Sequence, residues 1–358
     1  MDENKTQGRR AMTRRKAIAS ENNRAVSVVI LVAVVAFIVL LGSLFILFSY
    51  KEKNREAAEL VSSQQAENAQ LVAQIPADTP TDPLETNIYA AYTDETVLMG
   101  DDVISGYAIL IDVMNNTVVA HKNGETRIYP ASMTKVMTMI VAAENIEDFN
   151  KEFTFTYHIT DPAYKAGASI AGFLSSETVP LIDILYGIAL PSGADCTTAI
   201  AIEVAGSEEA FVEMMNAKAA EMGLVNTHFV NASGLHNSNH YTTPHEMAII
   251  MEYAMNIPLL EQVMSTENYT TTKTSQHPNG LNLVSTLFGK LYSQPSNSEI
   301  IAGKTGYTYE AHRCLASVAE TPDGHRYVLV TADAQSYTES DRAAISDAVN
   351  IYENYIVK

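Results

Sequence analysis

The sequence predicts a mixed α and β fold. An antiparallel sheet of about five strands is flanked by helices, with an inserted all-helical lobe and a single transmembrane helix in front. Three observations carry this. Segments of strand period stand at residues 107–120 and again after residue 265, so both ends of one domain supply the sheet. Between them lie runs of helical period, and the chain closes on another from Arg342 to Val357. Finally, Ala25 to Tyr50 holds no charged residue and is dominated by Val, Ile, Leu, Phe and Ala.

In chain order, residues 1–24 form a basic tail with Arg9, Arg10, Arg14, Arg15, Lys16 and Arg24. Residues 25–50 follow as the span: at about 1.5 Å per residue such a helix is about 39 Å long, enough to cross a hydrocarbon core of about 30 Å with some tilt. Its end, Phe45-Ile46-Leu47-Phe48-Ser49-Tyr50, offers no small-x-small cleavage site, which favours an uncleaved anchor over a signal peptide. The basic residues before it place the N-terminus in the cytoplasm and the rest of the chain outside the cell membrane. Residues 51–84 read as a polar stalk ending in a Pro-rich linker at Pro76, Pro80 and Pro83. Its apolar positions keep no heptad, so no coiled coil is expected. A single domain then covers residues 85–358.

Within that domain, Tyr107–Val113 and Thr117–Ala120 around Asn115-Asn116 predict a β-hairpin. Pro130 suits a helix start, and the run from Val136 to Ala143 predicts a buried helix. Helical period fills residues 181–226, interrupted at Pro191-Ser192-Gly193, with an amphipathic helix from Glu208 to Met222 stopped by Gly223. Thr243-Pro244 opens another helix. Strands are expected at Tyr269–Thr272, Ile300–Gly306, Cys314–Ala319 and Arg326–Ala332, with a turn at Pro322-Asp323-Gly324 between the last two.

Composition narrows the function. Apolar residues make up 47% and charged residues 18%, enough for a sizeable core and unlike a disordered chain. The net charge is −19, and residues 51–358 carry 16 basic against 39 acidic residues, so the acidic body is unsuited to nucleic acid. Cys196 and Cys314 are too few for a disulfide framework. They are read as small buried residues, with a pairing left open. No His, Cys or carboxylate spacing suggests a metal site.

Chemistry points to three short motifs in order: Ser132-Met133-Thr134-Lys135, Pro191-Ser192-Gly193-Ala194 and Lys304-Thr305-Gly306. Three positions apart on a helix, Ser132 and Lys135 share a face. A serine becomes a nucleophile when a base takes its proton, and a lysine is such a base when its surroundings lower its pKa. Each motif has a plain alternative: a cap followed by a solvated lysine, Ser192 capping a helix that starts near Asp195, an ordinary strand end. The ordered coincidence favours a site.

With these motifs the chain resembles the serine D-alanyl-D-alanine carboxypeptidases, the low-molecular-weight penicillin-binding proteins of DD-peptidase/β-lactamase-like fold. The resemblance covers roughly residues 100–356 and extends to Gly167-Ala168-Ser169, Asn226–Asn231 with Gly234-Leu235, and Tyr241-Thr242-Thr243. It implies a membrane-anchored enzyme, without metal or cofactor, that removes the terminal D-Ala from peptidoglycan stem pentapeptides. Catalysis would run through an acyl-enzyme on Ser132, and β-lactams would acylate the same residue. It further implies Lys135 as base and Ser192 as proton relay. Lys304 would add positive charge that keeps Lys135 neutral, and Thr305 and Arg342 would bind the substrate carboxylate. Gly306 would let substrate approach the strand, and the N–H groups of Ser132 and Tyr307 would form the oxyanion hole.

The chain departs from the family pattern at Ala194, where many relatives carry Asn, and at His312-Arg313, where Gly and an aromatic residue are common. It ends soon after the closing helix, so the C-terminal β-rich domain and amphipathic anchor of many members are expected to be absent, the N-terminal helix serving instead. Three alternatives remain on sequence grounds. One is a D,D-endopeptidase, which shares the acylation chemistry. Another is a β-lactamase, for which no Glu-x-x-x-Asn stretch that would place a deacylating carboxylate is recognised between the second and third motifs. The last is a catalytically weak peptidoglycan-binding or β-lactam-sensing protein. Oligomeric state is not legible.

Overall fold

The computed structural model of the chain describes residues 89–335 and 341–356. The predicted tail 1–24, span 25–50 and stalk 51–84 lie outside these residues. Among the described residues no helix is long and apolar enough to cross a membrane.

The sheet forms as the strand period requires. A two-residue strand β1 (Val97–Leu98) runs parallel to β3 (Thr117–Lys122), which forms the expected hairpin with β2 (Ser105–Asp112). At the turn Asn116 takes φ 49°, a left-handed conformation that Asn tolerates well. After the helical lobe come β8 (Glu299–Thr308), β9 (His312–Glu320) and β10 (Arg326–Ala334), giving the order β1-β3-β2-β10-β9-β8. The five longer strands are antiparallel, as predicted, and β8 is an edge. Tyr269–Thr272 is not part of this sheet. It contributes β6 (Asn268–Thr270), paired only with β7 (Asn282–Val284). A further small sheet of β4 (Glu152–Thr154) and β5 (Thr178–Pro180) was not expected.

Strand alternation decides what each face covers. Ile109, Ile111, Val328 and Val330 enter the core shared with the helical lobe. Ala108, Leu110, Tyr327 and Leu329 enter the core under the closing helix α8 (Ala343–Tyr355). There the hydroxyl of buried Tyr352 donates to the Ser317 carbonyl at 3.0 Å, which satisfies its one polar group.

The lobe is built around α1 (Lys135–Asn145), whose residues 135–142 are all buried. It is followed by α2 (Tyr157–Lys165), α3 (Leu181–Ala189), α4 (Ala194–Ala205), α5 (Glu208–Glu221), α6 (Pro244–Met255) and α7 (Pro258–Met264). Their ends follow local chemistry. Ser207 and Thr243 each accept the backbone N–H three residues on, at 3.2 and 3.1 Å. Gly223 stops α5 at φ 72°. The start of α1 differs from expectation: Ala131–Thr134 is a 3-10 turn and the α-helix begins only at Lys135. This turn packs on edge strand β8, so lobe and sheet meet at Ser132.

Candidate active site

The tight turn at Ser132 is held by its neighbours. Ala131 has φ 46°, a strained value for a residue with a side chain. Two glycines crowd the turn. A Cβ on Gly234, itself at φ 81°, would lie 1.9 Å from the Ala131 carbonyl oxygen, and one on Gly306 would lie 3.0 Å from that of Pro130. Gly306 therefore serves first to seat the nucleophile turn against β8, a role closer to Ser132 than the substrate contact expected of it.

Lys135 Nζ lies 2.9 Å from Ser132 Oγ and donates to the Ser233 carbonyl at 2.6 Å. The side chain is buried, and burial pushes its pKa down to about 7 against the opposing pull of the Asp195 carboxylate. Near neutrality a large share is therefore an uncharged amine. With one N–H spent on Ser233, its lone pair is free to accept the Ser132 proton. Ser233 is a partner that motif reading missed, although it lies between Asn231 and Gly234, both already singled out. Asn231 Oδ1 fixes that loop by accepting from Gly234 N at 2.7 Å.

Ser192 stands between α3 and α4 at φ 66°, and Gly193, not Ser192, is the N-cap of α4. The capping alternative fails on that geometry. The Ser192 hydroxyl oxygen is buried, faces the cleft and finds no hydrogen-bond partner among the described residues. A strained residue with an unmet hydroxyl beside a nucleophile is suited to an incoming ligand. The loop opposite is tied down by Asp195, whose carboxylate accepts from Ala171 N at 3.0 Å, while Ala194 N donates to the Ser169 carbonyl at 2.8 Å. Asp195 directly follows the second motif, and only its position there hinted at this duty.

On the β8 side the structure separates the third motif. Thr305, Gly306 and Tyr307 line the cleft, and Thr305 Oγ1 is 2.6 Å from Thr286 Oγ1. Lys304 lies behind them, 1% exposed, with Nζ donating to the Thr305 carbonyl at 3.1 Å. Burial and then the charge of Lys135 push its pKa well below the lysine range. Burial of both amines disfavours charging the two together, so positive charge on Lys304 and positive charge on Lys135 oppose each other.

Arg342 also reaches the cleft. It is the N-cap residue of α8, with its guanidinium 4.3 Å over the Tyr292 ring and Nε 4.0 Å from Asp341. A cation at a helix N-terminus opposes the helix dipole, so its placement is not explained by stability.

Ser132, Lys135, Ser192, Thr305, Gly306, Tyr307 and Arg342 thus surround one open cleft of about 500 Å³, which Gly167, Ala168 and Ser169 also line. Cys196 and Cys314 are both buried and free. Among the described residues no group of three or more His, Cys, Asp or Glu side chains is placed to hold a metal ion. A Glu-x-x-x-Asn spacing, overlooked in the sequence reading, does occur between the second and third motifs at Glu252 and Asn256, but it sits at the end of α6 and is no part of the cleft lining. At the departures from the family pattern, His312 adopts φ 53°, the conformation a glycine would hold without strain, and Arg313 stacks 3.9 Å over the Tyr307 ring.

Comparison with known proteins bears on the family and the fold. The chain is 34% identical over 215 residues to the D-alanyl-D-alanine carboxypeptidase DacF of Bacillus subtilis, covering 60% of this chain and 53% of that protein. It is 31% identical over 258 residues to the D-alanyl-D-alanine carboxypeptidase of Streptomyces sp. K15, covering 69% of this chain and 85% of the relative. The solved Streptomyces K15 DD-transpeptidase superposes with a TM-score of 0.64 at 28% identity, over 71% of this chain and 97% of that one. The chain spans about half the length of several of the relatives it matches, 53% and 57% for the Bacillus subtilis and Haemophilus influenzae carboxypeptidases. Residues 94–336 match the peptidase S11 family, D-alanyl-D-alanine carboxypeptidase, and the chain belongs to that family.

Proposed function

We propose that this chain is a membrane-anchored serine D-Ala-D-Ala carboxypeptidase that trims peptidoglycan stem pentapeptides outside the cell. The observation that carries the reading is the buried Lys135 amine 2.9 Å from Ser132 Oγ in a cleft that Ser192, Thr305 and Arg342 also line. Neutral Lys135 takes the Ser132 proton as Oγ attacks the penultimate D-Ala carbonyl. The developing oxyanion is met by the N–H groups of Ser132 and Tyr307, donors of a kind whose loss typically costs about 3–4 kcal/mol. Ser192 passes the proton to the leaving D-Ala nitrogen, breaking the peptide bond and leaving an ester on Ser132, which water then hydrolyses. The substrate carboxylate is gripped by Thr305 and Arg342, and its negative charge restores the proton to Lys304.

β-Lactams present a strained amide to the same serine and acylate it. The apolar stretch from Ala25 to Tyr50 supplies the anchor, with the basic residues before it in the cytoplasm. Labelled penicillin should mark the protein covalently and the full chain should release D-Ala from a D-Ala-D-Ala peptide. Ser132→Ala should lose both, and labelling that persists in this variant overturns the assignment. The Streptomyces K15 relative is named a DD-transpeptidase in its solved structure, so an amine acceptor added to the same assay tests whether the ester is also passed to an amine.

A further inference from the structure

The turn that carries Ser132 has a geometry that its own four residues do not enforce. A 3-10 turn has three residues per turn, so side chains at i and i+3 eclipse. In an α-helix the same two positions are offset by about 60°. Here the eclipsed pair is Ser132 and Lys135, with Lys135 at ψ −17°, shallower than the α-helical value of about −42°. That stacking brings Lys135 Nζ to 2.9 Å from Ser132 Oγ. Hydrogen bonds in a 3-10 turn are poorer than in an α-helix, and α1 continues from Lys135 as regular helix. The turn therefore relaxes toward α unless something outside it holds on.

Gly234 and Gly306 fix its start at Ala131. Its end is gripped at Thr134. At about 120° per residue this side chain points away from the face that Ser132 and Lys135 share. Thr134 is fully buried and takes no part in the cleft lining. Its Oγ1 lies 2.8 Å from Nε2 of His240, which is itself buried. The other ring nitrogen decides the tautomer. The Val230 N–H can only donate, and it meets His240 Nδ1 at 3.3 Å, so Nδ1 carries the lone pair and Nε2 the proton. Nε2–H then donates to Thr134 Oγ1. Burial, and after it the charges of His228, His236 and Lys135, push the His240 pKa down to about 4, so the imidazole is neutral wherever Lys135 can act as a base.

The imidazole is backed in turn. Phe229 meets it edge-on with centroids 5.5 Å apart. The Phe229 N–H donates to Asn216 Oδ1 on α5 and the Phe229 carbonyl accepts from Asn216 Nδ2, both at 2.9 Å. His228 and Tyr241 bridge as an antiparallel pair, which closes residues 228–241 into a strap. Thr138 Oγ1 donates to the Ala232 carbonyl of this strap at 2.7 Å, and Lys135 Nζ to that of Ser233. The His240 bond is the one that falls between nucleophile and base.

We propose that His240 is a positioning residue for acylation: by donating to Thr134 it holds the turn in its 3-10 form and keeps Ser132 Oγ stacked on Lys135 Nζ. It touches neither substrate nor the reacting atoms. The inference rests on the Ser132–Lys135 reading above.

Single-turnover labelling of the full chain with a fluorescent penicillin, followed across pH, tests it. Thr134→Val keeps the branched shape and removes the acceptor. His240→Asn keeps a partner for Val230 N and is too short to reach Thr134, whereas His240→Gln reaches it. Thr134→Val and His240→Asn should each lower the plateau of the acylation rate about tenfold, and the double variant little further. His240→Gln and Thr134→Ser should each recover part of the loss. The inflection of the pH profile should stay in place, because Lys135 remains buried. Losses that add in the double variant, with no recovery in His240→Gln and an inflection moved to alkaline pH as water reaches Lys135, would show a packing role alone and overturn the proposal. So would a plateau that Thr134→Val leaves unchanged. Urea unfolding reports that each variant is folded, and should His240→Asn fail to fold, Thr134→Val and Thr134→Ser decide the matter between them. An unsubstituted chain that penicillin does not label overturns the enzyme reading, and this inference with it.

Discussion

The charge state of Lys135 should govern how fast Ser132 is acylated. Burial pushes the Lys135 pKa down to about 7, from an ordinary value of 10.5. If the neutral amine is the base, the second-order rate of acylation by a β-lactam follows its neutral fraction: about half at a pH equal to the pKa, about a tenth one unit lower, about nine tenths one unit higher. The rate should thus climb roughly fivefold over the unit below neutrality, less than twofold over the unit above, and then level off. Single-turnover labelling with a fluorescent penicillin, from about pH 5 to 9 at fixed ionic strength, isolates this step from hydrolysis of the ester. A solvated lysine would instead give a rate still rising about tenfold per unit at the alkaline end, without a plateau. That result, or a flat profile, would refute the claim that burial makes Lys135 the base.

Other consequences follow from the same contacts. The Asp195 carboxylate raises the Lys135 pKa, so Asp195→Asn should move the acylation inflection to lower pH while its amide oxygen still accepts from Ala171 N; an unmoved inflection removes Asp195 from the electrostatics. Gly234→Ala places a Cβ 1.9 Å from the Ala131 carbonyl at φ 81°, and should lower both the urea midpoint and the acylation rate, with a stability loss of at least about 2–3 kcal/mol. A lysine whose pKa falls from 10.5 to about 7 on folding binds fewer protons folded than unfolded between those values, so its contribution to stability rises with pH across that window. Lys135→Met should remove that rise, on the order of 5 kcal/mol, as read by comparing urea unfolding of the two proteins near neutrality and near pH 10.

Much of this arrangement was legible in the sequence because it is local or ordered. The β2–β3 hairpin, the broken helices around Ser192 and the strands β8 to β10 each carry their own period or turn residues, and an edge strand bearing Lys304-Thr305-Gly306 needed only the motif to be noticed. The small sheets β4–β5 and β6–β7 were missed or misassigned. Strands of three residues are too short to show alternation, and their pairing is fixed by contacts far along the chain. The 3-10 turn at Ser132 was read as α-helix because side-chain pattern does not distinguish the two over four residues.

Spacing located the candidate reacting groups, whereas the chemistry open to them depends on burial, which is not a local property. Nothing within the Ser132–Lys135 motif lowers a lysine pKa. What does so is enclosure, which leaves the amine 2% exposed, and the one strong hydrogen bond it is given goes to a carbonyl at Ser233, far along the chain. The same enclosure surrounds Lys304, which the motif reading made a source of positive charge without indicating its burial and which the fold places behind the cleft wall at 1% exposure. Gly306 is a parallel case: its missing side chain is needed by Pro130 and Ser132, brought against β8 only when lobe and sheet have packed. A Ser-x-x-Lys pair on a solvated helix would share the spacing and lack the base, so the catalytic competence of the motif is a property of the closed core around α1.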